Sequence, residues 1–279
     1  MMGELYIVST PIGNLEDITL RALKVLREVD LIAAEDTRHS LKLLNHYGIS
    51  KPLISYWREK EKARTKVVMD KLKDGLSVAL VTDAGTPGIS DPGEVLIREA
   101  IKEGVQVTPI PGPASLIAAL SVSGLDTGKF YFAGFLSGRP VQRRKDLLSL
   151  KSVEVTLVFY ESPHRIEEFL ADLLEVLGDR EMALCHELTK MFETVLRGPV
   201  SVVIEALHES KIAGEYVAVV AGIEPGAISM ESALIEVEKL MRGGKGRKEA
   251  VEEVALAGGV SKKTLYKESL TICGLRCGL

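Results

Sequence analysis

Three loops rich in glycine and proline stand where chemistry could occur. Thr10-Pro11-Ile12-Gly13-Asn14, Asp83-Ala84-Gly85-Thr86-Pro87-Gly88-Ile89-Ser90-Asp91-Pro92-Gly93 and Pro111-Gly112-Pro113-Ala114-Ser115 each follow a short apolar, β-rich run. Glycine lets backbone approach a ligand closely, and proline holds a loop in one shape. Such loops offer backbone N–H and C=O groups. That suits an adenosine-and-amino-acid ligand better than a pyrophosphate, whose usual cradle is a glycine loop at a helix N-terminus. Each loop alone reads equally well as a tight turn. Three at successive strand ends favour a binding edge, because open α/β sheets bind ligands past the carboxyl ends of their strands.

A second group of residues brings charge to strand ends. Phe159-Tyr160-Glu161-Ser162-Pro163-His164-Arg165 and His186-Glu187-Leu188-Thr189-Lys190-Met191-Phe192-Glu193 carry carboxylates, imidazoles and cations close together. Both proton transfer and plain ion pairing fit that pattern. Glu35-Asp36-Thr37-Arg38 is either a salt-bridged helix cap or a functional cluster, and both readings stand. His164 and His186 are too isolated for metal ligation, and Cys185 lies in an apolar strand that reads as core. Cys273 and Cys277 read as incidental thiols of a tail; three cysteines in all argue against a disulfide framework and for a reducing compartment. The chain has no G-x-G-x-x-G after a strand, no P-loop, no H-E-x-x-H and no G-x-S-x-G. That disfavours Rossmann dehydrogenases, P-loop NTPases, zinc proteases and α/β-hydrolases.

The elements that must position these loops follow from hydrophobic period. Short β-rich runs at 4–10, 31–34, 52–56, 77–82 and 105–110 alternate with helical patterns at 18–29, 40–47 and 60–72 and a helix ending near 102. Such alternation predicts a parallel sheet flanked by helices. A second series predicts strands at 130–135, 156–160, 182–187, 193–197 and 215–223, with helices at 141–150, 165–177 and 200–208. The strands at 182–187 and 193–197 leave no room for a helix between them and should pair antiparallel. The remainder reads as helices at 230–241, 248–257 and 261–270, the last two at helix-turn-helix spacing around Gly258-Gly259-Val260 with Ser261 as N-cap. The expected organisation is therefore an α/β domain over 1–115, a second over 116–226, and a small all-α appendage over 227–279. With 279 residues, 46% hydrophobic and 27% charged, the chain has ample core for this. No apolar run approaches the roughly 18 residues of a membrane span and no secretory leader is visible, so a cytoplasmic protein is expected. Net charge is −4, so any nucleic-acid contact must come from local basic patches.

Six motifs in order across residues 4 to about 225 resemble the ribosomal RNA small subunit methyltransferase I family, of the tetrapyrrole methylase superfamily. They are Ser9–Asp17, Ala34–Arg38, Asp83–Gly93, Pro109–Leu116, Phe159–Arg165 and Glu187–Glu193. The resemblance implies a tetrapyrrole methylase-like fold with S-adenosylmethionine in a cleft between two α/β domains. It implies 2′-O-methylation of a cytidine ribose in 16S ribosomal RNA, within the assembled small subunit, by a homodimer; methyl transfer from a sulfonium requires no metal. Carried over by position, it places the cofactor against Pro11, Asp83, Ala84, Gly85, Thr86, Ile89, Ser90, Ser115 and Leu116, with Tyr160 and Ala218 from the second domain. The superfamily's glycine-rich first loop is replaced here by Thr10-Pro11-Ile12-Gly13-Asn14, which points toward the RNA-modifying branch.

For that reaction a ribose hydroxyl needs a base or a charge that stabilises its alkoxide, and Glu161, Glu187 and Lys190 are the candidates, with Arg165 on phosphate. RNA contact would come from Arg139, Arg143, Arg144 and Lys145, from Arg242, Lys245, Arg247 and Lys248, and from Lys262, Lys263 and Lys267. Each of these is also readable as a solvated helix face. Two other functions fit the same pattern: a sibling methyltransferase acting on a small molecule or a modified protein residue, and a ligand sensor whose helix-turn-helix binds nucleic acid.

Overall fold

The computed structural model describes residues 2–209, 212–223, 230–258, 260 and 262–274. Five strands, β1 (Glu4–Val8), β2 (Leu31–Ala34), β3 (Leu53–Ser55), β4 (Val78–Val81) and β5 (Gln106–Ile110), form one sheet. It runs β3-β2-β4-β1-β5, and every pair in it is parallel. Parallel strands need crossover helices, and these supply them: α1 (Leu20–Glu28), α2 (Thr37–His46), α3 (Glu61–Lys73) and α4 (Glu94–Lys102). The strands are apolar on both faces because both faces are covered. Leu26, Ile32 and Leu44 pack on the α1/α2 side, and Leu5, Val68 and Leu96 on the α3/α4 side.

After α5 (Ser115–Ser123) the chain builds a second sheet from β6 (Phe130–Phe135), β7 (Thr156–Glu161), β8 (Glu181–His186), β9 (Thr194–Pro199) and β10 (Tyr216–Val220). Its order is β6-β7-β10-β8-β9, with β6 parallel to β7 and every other pair antiparallel. The expected β8/β9 pairing is thus present. Side chains alternate across a strand, so β10 divides its residues between two cores. Tyr216, Ala218 and Val220 enter the core under α6 (Pro140–Ser149), α7 (Ile166–Leu177) and α8 (Val200–His208). Val217 and Val219 face the other way, into a cluster with Leu116, Leu120 and Cys185 that also takes Ile12 from the first sheet's loop. That shared cluster joins the two halves.

Three helices, α9 (Met230–Arg242), α10 (Arg247–Gly258) and α11 (Lys262–Gly274), close on a separate apolar cluster that includes Val237, Val251 and Leu265. Ser261, Gly259, Pro225 and the tail with Cys277 lie outside the described residues. Among the described residues, no helix is long and apolar enough to cross a membrane.

Helix α2 begins at Thr37, three residues before its expected start at 40. Asp36 accepts the Arg38 N–H at 2.8 Å and so opens the helix earlier than its apolar pattern does. Arg38 holds the Asp36 carboxyl down at about 2 by hydrogen bonding, so this half of the Glu35–Arg38 motif is a helix cap.

Candidate active site

The three Gly/Pro loops converge at the carboxyl edge of the first sheet and are sewn together by short-range polar contacts. Thr10 N–H donates to the Gly85 carbonyl at 2.9 Å, and Gly85 N–H returns to Thr10 at 3.1 Å. The Ser9 and Thr86 hydroxyls lie 2.8 Å apart, and Thr86 donates on to the Pro113 carbonyl at 3.3 Å. The first loop also touches the second half of the chain. Asn14 N–H donates to Thr189 Oγ1 at 3.0 Å. A Cβ on Gly13 would lie 2.5 Å from Lys190 Cγ and 2.8 Å from Thr189 Oγ1, so only glycine permits this approach.

Between the loops and the ends of β7, β8 and β10 lies a cleft with two lobes. The first, of about 390 Å³, is walled by Ile12, Leu188, Phe135 and Val217 on its apolar side. Asp83, Asp91, Glu35, Glu161 and Glu215 line it with carboxylates. The second, of about 530 Å³, opens toward α2 and shares Ile12, Asp83, Ala84 and Glu215 with the first. Both volumes fall in the range of small-ligand sites.

The polar groups of the first lobe are held in place. Tyr160 is gripped edge-on by Phe132 and Phe135, at centroid distances of 5.0 and 5.5 Å. Its hydroxyl accepts from Ser115 Oγ at 2.8 Å and from the Leu116 N–H, and burial raises its pKa. Glu161 is buried. Its Oε1 accepts Arg165 Nε at 2.8 Å and the Ser162 N–H at 2.7 Å, while its Oε2 has no hydrogen-bond partner among the described residues. Asp91 is pushed up to about 7, first by burial and then by the charge of Glu35, against the opposing pull of Arg58. Glu35 is raised by burial and by Asp83. Ser90 holds φ at 66°, an uncommon value for a residue with a side chain, and its carbonyl accepts from Arg58.

Of the expected cofactor residues, Asp83, Ala84, Ser90, Ser115 and Tyr160 line the first lobe, and Pro11 lines the second. Gly85 and Thr86 stand behind the wall and knit the loops together, while Leu116 packs beneath it. Two positions depart from expectation. Ile89 is 44% exposed and lines a separate surface hollow with Ile97 and Ile101, because the turn after Gly88 swings its side chain outward. Ala218 points into the core behind β10, and the cleft wall is made by its neighbours Tyr216 and Val217.

Glu187 and Lys190 bond to each other at 2.8 Å, and Lys190 lines the second lobe. Burial pushes each toward its neutral form, but their mutual hydrogen bond and charge attraction, together with the contacts to Glu215, outweigh it: Glu187 ends below its usual pKa and Lys190 above. Arg165 pairs with Glu161. Neither ion pair crosses between the two halves.

The basic residues divide differently from expectation. Arg143 is 1% exposed, with Nε on Asp172 at 2.6 Å and Nη2 on Glu168 at 3.3 Å, so it is a buried strut and no nucleic acid can reach it. Arg144 is half exposed but is engaged by Asp172 and Glu175. Lys245 pairs with Glu253 and Lys262 with Glu252, whereas Arg247 is half-buried and Lys263 is exposed. Asp91, Glu215 and the α2 residues at the second lobe went unseen in the sequence. Asp91 carried the nearest signal, as the second aspartate of the loop over 83–93.

Two sheets in these orders, facing each other across a cleft, define an α/β protein of the tetrapyrrole methylase fold. Uroporphyrin-III C-methyl transferase from Thermus thermophilus, solved with S-adenyl homocysteine, superposes at a TM-score of 0.56. The match covers 78% of this chain and 97% of that one at 22% identity. The sequence matches the family Tetrapyrrole (Corrin/Porphyrin) Methylases over residues 4–203. It is 46% identical over 270 residues to Ribosomal RNA small subunit methyltransferase I of Halalkalibacterium halodurans, covering 95% of this chain and 93% of the relative. The namesake from Thermotoga maritima is 50% identical over 223 residues, 80% of this chain and all of the relative. The chain belongs to the ribosomal RNA small subunit methyltransferase I family, within the tetrapyrrole methylases.

Proposed function

We propose that this protein moves a methyl group from S-adenosylmethionine to the ribose 2′-oxygen of a cytidine in 16S ribosomal RNA, acting on the assembled small subunit as a cytoplasmic homodimer. The observation that carries the reading is the first lobe, half apolar and ringed by carboxylates, in a chain of this family. Its residues fit the cofactor. Ile12, Leu188 and Val217 offer apolar surface, the carboxylates favour a cation, and the bare Glu161 Oε2 is a buried acceptor in want of a donor.

When bound, S-adenosylmethionine supplies an electrophilic methyl on a positively charged sulfur. The chain must then align the acceptor oxygen, exclude water and take up the hydroxyl proton. Asp91 is suited to taking up that proton. It faces the cavity, and a carboxyl near 7 both accepts and releases protons at neutral pH. Glu161, with Oε1 engaged by Arg165, is suited to holding a hydroxyl or ammonium on Oε2. Glu187 and Lys190 brace the loop after β8 against Gly13.

The test is transfer of labelled methyl from S-adenosylmethionine to small ribosomal subunits, followed by nuclease digestion. Label should appear in 2′-O-methylcytidine. Label on a base, on protein, or only on an added porphyrin precursor would overturn the reading.

A further inference from the structure

The second lobe of the cleft extends beyond the first toward α2, and its walls there carry a chemistry of their own. Helix α2 contributes Ser40, His39 and Lys42, and Pro11, Leu15 and Leu43 form an apolar side. Ser40 is 3% exposed, and its hydroxyl has no hydrogen-bond partner among the described residues. A buried hydroxyl left bare is costly, and most are satisfied, so Ser40 stands out on this wall. Lys42 and His39 have no ion-pair partner among the described residues, whereas Lys190 on the opposite wall is neutralised by Glu187 and Glu215. The lobe is therefore polar along its length: cationic at Lys42 on α2, acidic where Asp83 and Glu215 separate it from the first lobe.

We infer that this lobe is the seat of the acceptor ribonucleotide, with Ser40 Oγ and Lys42 as its recognition groups. The inference rests on the reading of the protein as an RNA methyltransferase. Charge sets the orientation. A phosphate is drawn to Lys42 and repelled by Asp83 and Glu215. The sugar hydroxyls are then left at the acidic partition, beside the lobe that holds the methyl donor. Pro11, Leu15 and Leu43 offer the apolar surface a nucleobase requires. None of these α2 residues lines the first lobe, so cofactor affinity and acceptor affinity are separable.

The experiment uses full-length protein, isolated small ribosomal subunits and labelled S-adenosylmethionine, with the variants Ser40→Ala and Lys42→Glu. Cofactor affinity is read by calorimetry and stability by urea unfolding. Ser40→Ala should raise the KM for subunits by about three- to tenfold, the worth of one hydrogen bond, while leaving stability unchanged or slightly higher. A merely structural serine would instead lose stability on substitution. Lys42→Glu should raise that KM by about tenfold or more and flatten its dependence on salt. Cofactor affinity should be unchanged in both. If the wild type methylates subunits and both variants keep its KM, the subsite is wrong and the methyltransferase reading survives. If the wild type transfers no methyl to subunits, both fall.

Discussion

At the scale of single residues, the informative groups are those held in a costly state. Asp91 is one: a carboxyl that ordinarily titrates near 3.8 is displaced to about 7 by burial and by Glu35. Because its folded pKa lies above the unfolded one, the folded protein binds the extra proton, and stability falls as pH rises between those two values. Asp91→Asn removes that buried charge. It should raise the melting temperature at pH 8 and leave it unchanged near pH 4, as scanning calorimetry at the two pH values would reveal. The same shift gives binding a pH dependence. A cationic ligand in the first lobe favours ionised Asp91, so cofactor uptake at pH 7 should release a proton and tighten as pH rises through about 7. Calorimetry in buffers of different ionisation enthalpy measures that proton, and Asp91→Asn should abolish its release.

At the scale of elements, a buried ion cluster joins α6 to α7. Asp172, 3% exposed, accepts both Arg143 at 2.6 Å and Arg144 at 2.7 Å. Removing one partner of a buried pair strands the other, which costs about 3–5 kcal/mol, whereas replacing both with apolar residues of similar size is often neutral. Asp172→Ala should therefore lower the urea midpoint steeply, and the double variant Arg143→Met with Asp172→Leu should recover most of the loss. If the double variant proved no more stable than the single one, the cluster would be held by something other than this compensation. The expected RNA role of Arg143 failed for the same reason. A basic run on an amphipathic helix looks alike whether its charges face water or an acidic neighbour, and only the position of α7 distinguishes the two.

At the scale of the molecule, the C-terminal helices close on their own apolar cluster, apart from those of the two sheets. Removal of residues 229–279 should leave calorimetric affinity for S-adenosylmethionine unchanged. If Lys263 and its exposed neighbours touch phosphate, the truncated chain should show a KM for small subunits raised by about tenfold and a shallower salt dependence. An unchanged KM would remove the appendage from substrate binding.

Hydrophobic period was enough to place both series of strands and helices, because period 2 and period 3.6 are properties of local sequence, and the short gap between β8 and β9 was enough to pair them antiparallel. Glycine and proline marked the loops for a similar reason, since backbone freedom is a local matter. What the sequence could not show is which groups end up unpartnered or crowded. Ser40 is bare because no described neighbour reaches its hydroxyl, and Asp91 is displaced because burial is joined there by the charges of Glu35 and Glu215, from distant stretches of chain, and of Asp83 at the head of its own loop. Ala218 and Val217 are adjacent in sequence yet face opposite cores, and Ile89 faces solvent where its loop neighbour Ser90 faces the cleft. Charge, burial and direction depend on what lies across a gap, and that is decided only when the two sheets close on each other.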